Sequence, residues 1–236
     1  MVGAIAAWNL LWERRPEPRR GPRPTLTLDA IAAAGIEIAD ADGLAAVTMQ
    51  RVAERLGVTK MALYRYVPGK VELVALMTDH AMGEPPRPAG PPAGWRERLD
   101  AWARELLDRF LAHPWTLEAT VGPRALGPNE VGWLEQVTDA LTGTGLTGPE
   151  MLDVAVTLIG HVRAIAQQAS AVPVDAPERT MGEALTALLS GREERYPTFA
   201  AALAGRDGRG RAFDFGLSCI LDGVAALAGR RGQERG

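Results

Sequence analysis

The sequence predicts an all-α protein, and three observations carry that expectation. Ala and Leu dominate, β-branched and aromatic runs are scarce, and apolar residues recur at helical spacing behind residues that cap helices. Hydrophobic residues make up 47% and charged residues 23% of the 236, ordinary values for a chain with a sizeable core. The length exceeds the common single-domain size of about 100–150 residues, so a small module joined to a larger one is expected.

Residues 1–24 read as a flexible N-terminal extension. Within it the run ERRPEPRRGPRP, 13–24, mixes prolines with arginines without helical periodicity and forms an extended basic arm. Thr27 then caps a helix in which Leu28, Ile31, Gly35 and Ile38 share a face, ending near Asp42 and Gly43. Thr48 opens a second helix, with Val52, Ala53 and Leu56 inward and Gly57 as its stop. Thr59 caps a third helix running to Tyr64, and Pro68-Gly69 turns into a fourth that starts at Lys70 and ends near Met82. Residues 25–83 thus form one module, a three-helix helix-turn-helix with a following helix.

The run EPPRPAGPPAG, 84–94, breaks any helix and marks the boundary. Beyond it, 95–236 reads as a larger helical module with helices near 95–112, 129–141, 149–169, 177–189 and 211–228, and a short turn near 115–120. No repeat of fixed period is present, and the Gly/Arg-rich 205–211 reads as a loop.

Net charge is −3, but residues 1–70 hold 10 basic and 7 acidic side chains, against 16 and 22 in the remainder. The basic end is the candidate nucleic-acid end. Cys219 stands alone, no secretory signal precedes the first module, and no apolar stretch reaches the ~20 residues of a membrane span. The sequence therefore reads as soluble, cytoplasmic and without a membrane partner.

In the run TMQRVAERLGVTKMALYRYVPGK, 48–70, each part has a mechanical role. Small Ala53 lets two helices approach, Gly57 permits the tight turn, and Val52, Leu56, Val58 and Leu63 bury the contact. The start of the second helix, Thr59, Lys60 and Met61, is left free to reach base edges in a major groove, with Tyr64, Tyr66 and Lys70 placed for phosphates. The order of a leading helix, a DG-L turn, T-x-x-x-[VL]-A-x-x-L-G-V, L-Y-x-Y-[VF] and x-x-K resembles the DNA-binding domain of the tetracycline-repressor (TetR) family over about 26–82. LLWERRPEPRRGPRP and FDFGLSCILDG resemble its long, actinobacterial-type members, although Glu13 follows Trp12 where similar sequences carry glycine. The resemblance implies that Thr48 and Arg51 lie near the DNA backbone, that Thr59, Lys60, Met61 and Ala62 face bases, and that Tyr64, Tyr66 and Lys70 hold phosphates.

In the larger module, 149–169 is apolar nearly all round and calls for partners on two sides. The last helix is similar, with Phe213, Leu217, Ile220, Leu221 and Val224 on one stripe and Phe215, Gly216, Cys219 and Gly223 on a second. Leu152, Val156 and Ile159, together with the first of those stripes, are the expected homodimer interface; a two-fold dimer would set two recognition helices on a palindromic operator in double-stranded DNA. A small, largely apolar effector is expected against some of Trp102, Phe110, His113, Trp115, Trp133, His161, Arg163 and Gln167, each of which also suits core packing.

Other chemistries lack their settings. Gly143, Gly145 and Gly148 spell G-x-G-x-x-G without a preceding strand. His80, His113 and His161 are far apart in sequence, no HExxH, CxxC, GxSxG or Walker A pattern occurs, and Cys219 reads as a packed, inert thiol. No cofactor, metal or catalytic residue is expected. The expectation is a ligand-responsive regulator, a repressor released from its operator by the effector, with activation as the alternative sign because sign depends on operator position. The rival is an all-α enzyme or small-molecule carrier whose N-terminal helices serve only as packing.

Overall fold

The computed structural model describes residues 2–13, 26–86, 94–170, 181–204 and 212–233. The basic arm after Glu13, most of the boundary at 84–94 and the 205–211 loop lie outside them. The described residues are helical, with no strand, which agrees with the expected fold class.

The first departure comes at the start. Residues Val2–Trp12 form helix α1, which packs on α5 (Lys70–Met82), with Ala7 buried beneath it. Trp12 Nε1 donates to Leu126 O at 2.8 Å, far along the chain. A flexible 1–24 is thereby corrected over its first half: α1 is so uniformly apolar that it carries no amphipathic stripe, and only tertiary contact reveals its place.

Three threonines start the next helices as their positions demand. Thr27 Oγ1 accepts from Ala30 N at 3.1 Å to open α2 (Leu28–Asp42), and Thr48 Oγ1 accepts from Arg51 N at 3.1 Å to open α3 (Met49–Arg55). Thr59 Oγ1 accepts from Ala62 N at 3.2 Å to open α4 (Lys60–Tyr64). Each hydroxyl satisfies an amide that the first helical turn leaves without a carbonyl. Gly57, at φ 65, makes the left-handed turn between α3 and α4 that a side chain would strain. Ile31, Val47, Val52, Leu63, Val67, Leu73 and Met77 have no exposed surface and close this module's core.

The second core is built by α6 (Trp95–Ala112), α8 (Pro128–Leu141), α9 (Gly148–Ser170) and α12 (Ala212–Gln233), with α9 touching the other three. Short α7 (Thr116–Ala119) reaches α5, while α10 (Met181–Leu189) and α11 (Pro197–Ala204) pack on each other. Helix α11 falls where the sequence reading placed no element. The G-x-G-x-x-G run lies in the connection from α8 to the start of α9, not after a strand.

Helix α12 is long and apolar enough to cross a bilayer by length and composition, contrary to the expectation from apolar stretches alone. Here it lies along α9, and Asp214 and Asp222 on its flank pair with Arg104 and Arg96 of α6.

Candidate nucleic-acid interface

The recognition surface is built outward from Leu63. That side chain is completely buried, which fixes the rotation of five-residue α4 and turns its other faces to solvent. Lys60 is exposed, Met61 is 72% exposed and Tyr64 38%; Thr59 and Lys70 are exposed beside them, and Ala62 is half-buried. Lys60 Nζ sits 5.7 Å from the centroid of the Tyr64 ring, and neither Lys60 nor Lys70 has an ion pair among the described residues. Both cations are therefore available to anions.

Two of the nine residues expected here stand apart. Arg51 Nη2 donates to Asp42 Oδ2 at 2.6 Å and Nη1 to Ala46 O at 3.4 Å, so its charge is engaged within the protomer. Tyr66 is half-buried in the core and lines a cleft of about 270 Å³ under α1, with Asn9, Leu10, Leu28 and Pro68. Thr48 is exposed, with its hydroxyl spent on the cap of α3.

The effector candidates fall into separate groups. Trp102 and Trp133 are buried edge to face, with Trp102 Nε1 donating to Trp133 O at 3.0 Å. Trp115 joins the core of the first module, and its Nε1 donates to Asp40 Oδ1 at 2.7 Å, beside His113 Nδ1 at 2.9 Å from the same oxygen. These two residues tie the modules together rather than wall a common space. His161 Nε2 lies 2.9 Å from Phe213 O with the two rings stacked. Arg163 stands over the Phe110 ring and donates to Leu117 O and to Thr120 Oγ1; burial, then the nearby Arg124, pushes its guanidinium below its ordinary value. Gln167 is exposed. A separate open cleft of about 450 Å³, between Trp95, Arg98, Asp139, Thr142 and Ala228, includes none of these candidates.

The stripe expected at a dimer interface is split by the fold. Leu217, Leu221 and Val224 are 1%, 2% and 6% exposed inside the protomer's own core, and Ile159, Phe213 and Ile220 are half-buried against it. Leu152 and Val156 are 53% and 67% exposed, and the neighbouring stripe of α12 shows Phe215 at 73%. Cys219 is exposed on that stripe, contrary to a packed thiol. The correction has a simple cause: both stripes are apolar, and α9 and α6 occupy the first.

No cluster of three or more potential metal-binding side chains occurs among the described residues. Residues 27–77 match the family described as bacterial regulatory proteins, tetR family, and residues 87–228 the tetracyclin repressor-like C-terminal domain. The HTH-type transcriptional repressor DrrR1 of Streptomyces coeruleorubidus is 40% identical, over 95% of this chain and 87% of its own. ActR of Streptomyces coelicolor superposes in its apo form with a TM-score of 0.76 at 27% identity, over 89% of this chain and 99% of its own. Its complex with actinorhodin does so with a TM-score of 0.72 at 28% identity, over 86% and 97%. A helix-turn-helix with a solvent-facing recognition helix, joined to a matching helical domain, makes this chain a transcriptional regulator rather than an enzyme, and it belongs to the TetR family.

Proposed function

We propose that the protein is a homodimeric repressor, working in the cytoplasm, that leaves a palindromic operator when a small, largely apolar effector enters the module at 95–236. The observation that carries this reading is the outward face of α4, where Lys60, Met61 and Tyr64 stand free beside Lys70. Lys60 and Met61 read base edges, and Tyr64 and Lys70 hold phosphates.

Dimerisation uses Leu152 and Val156 of α9 with Phe215, Cys219 and Gly223 of α12; Gly216 instead abuts His161 of α9 within the protomer. Exposed apolar side chains next to small residues on two helices in mutual contact suit close packing against a second copy. DrrR1 is named a repressor, which supports repression here, and ActR is known bound to actinorhodin, which supports response to a ligand. Helix α5 is the lever. It starts at Lys70 and ends against α8, where Trp133 Nε1 donates to Gly83 O at 3.1 Å. An effector acts by preferring a geometry in which the two recognition helices no longer match successive major grooves, since equal affinity for both states shifts nothing.

Selection from random duplexes tests the reading. The full chain should enrich a palindrome with half-sites about one helical turn apart or slightly more, bound by a dimer in sedimentation. Enrichment of nothing, or of sites without two-fold symmetry, refutes it.

A further inference from the structure

The junction between the two modules contains a buried carboxylate that the DNA-reading surface does not use. Asp79, in the last turns of α5, is 6% exposed. Its Oδ1 accepts from Glu130 N at 3.1 Å, in the first turn of α8, while Asn129 Nδ2 donates to the Asp79 carbonyl at 3.0 Å. Asp79 therefore caps a helix of the other module, 51 residues away, where it accepts from an amide that the first turn leaves without a carbonyl. The fit leaves no slack: a Cβ at Gly127, just before α8, would lie 2.2 Å from the Asp79 carboxyl carbon.

Charged groups come from the described elements packed against α5; α7 brings the exposed Glu118. From α8 comes Glu130, whose carboxylate is paired with Arg124; on α5 the next residue is His80; α6 brings Arg109, itself paired with Glu105, to Gly83 at the end of α5. Helix α1 contributes no charged residue, and Asp40 of α2 is occupied by His113 and Trp115. Burial, opposed by the bonds from the backbone of 129 and 130 and reinforced by Glu130, pushes the Asp79 carboxyl up from 3.8 to about 6.

We propose that Asp79 is a proton-sensitive joint, a positioning residue that holds α8 on the end of α5 and whose ionisation sets how firmly sensor and DNA reader are clamped. The inference rests on the reading of α5 as the lever. Its sign follows from linkage. A carboxyl that titrates higher when clamped than when released favours the clamp in its protonated form, so this contribution is complete at low pH and is lost as pH rises through about 6. The full loss is on the order of 100-fold in the clamping equilibrium. Near neutrality the joint is held by an ionised, poorly solvated carboxylate and opens easily; acid closes it.

Carbon-detected NMR titration of the full chain, with Asp79 assigned by the resonance missing in Asp79→Asn, should give a midpoint near 6; one near 4 overturns the proposal. Glu130→Gln removes the like charge and frees Arg124, so it should move the midpoint down, and an unmoved midpoint also counts against the joint. The thermal stability of the wild type, relative to that of Asp79→Asn, should fall from pH 5 to 7; a flat or rising difference overturns it. On the selected operator, the ratio of wild-type to Asp79→Asn affinity should change threefold or more over the same window, and a constant ratio reduces Asp79 to simple packing. If no operator is found, the regulatory reading fails, and the titration and unfolding results still decide whether the joint exists.

Discussion

The two helix pairs that face outward from this protein are built on opposite principles. In α3 and α4 Val52, Ala53 and Leu63 are closed inside one protomer, Leu56 and Val58 are half-buried against that core, and what is fully exposed is polar or charged apart from Gly57, Met61 and Tyr64. In α9 and α12 the inner stripes are equally closed, yet Leu152, Val156 and Phe215 are left more than half exposed. A surface meant for nucleic acid must stay wet and charged until it docks, whereas one meant for a second copy is apolar and permanent. On the proposed reading, the smaller module is finished within one protomer and the larger is completed by a second copy.

Charges placed on the two stripes of α12 separate these principles most sharply. Leu221→Glu sets a carboxylate among Leu158, Leu217 and Val224, at a cost of several kcal/mol, and should unfold the larger module. Phe215→Glu should instead leave circular dichroism and monomer unfolding nearly intact while weakening the dimer by about 2–4 kcal/mol. A dimeric Phe215→Glu protein in ultracentrifugation would move the interface elsewhere.

Smaller effects belong to the reader. Lys60→Ala should cost about 1–3 kcal/mol and relax preference at particular bases, whereas Lys70→Ala should weaken all sequences alike and lower the salt slope by about one. Titrations over operator variants at several salt concentrations would merge the two if Lys60 touches only phosphate. Removing the cap of α4 by Thr59→Ala should lower stability by about 1 kcal/mol, because five residues make too short a helix to absorb a lost amide partner. Urea unfolding measures it, with unchanged slope.

What was legible in the sequence divides along the same line. The reader could be written down because its signals are local: Thr27, Thr48 and Thr59 each start a helix three residues before the amide they cap, and Gly57 stands where the turn needs it. The larger module hides its choices in tertiary contacts. Nothing within α12 states whether Leu217 or Phe215 faces in; α9 and α6 decide that from elsewhere. Trp115 follows α6 and looks like a pocket wall, but Asp40, 75 residues earlier, draws it into the other core. Asp79 gave no signal at all, since a lone acidic residue in a helix reads as solvated surface until α8 arrives on top of it.

The smallest expected effect tests whether the reader's rim is structural or only decorative. Arg55 of α3 reaches Glu37 of α2 through Nε at 2.9 Å and Nη2 at 2.5 Å, both to Oε2, and this pair is a link between the two helices. Both side chains are more than half exposed, at 56% and 55%, so water and salt screen the attraction and ordering two long side chains offsets part of it. A double-mutant cycle with Arg55→Ala and Glu37→Ala should return about 0.2–1 kcal/mol of coupling at low salt, and near zero at 1 M. A coupling well above that range, or one indifferent to salt, would mean that the reader's position is set by its charged rim as well as by its core. Operator affinity should move less than twofold in either single mutant, since the cationic face proposed to meet DNA is carried by Lys60 and Lys70 instead.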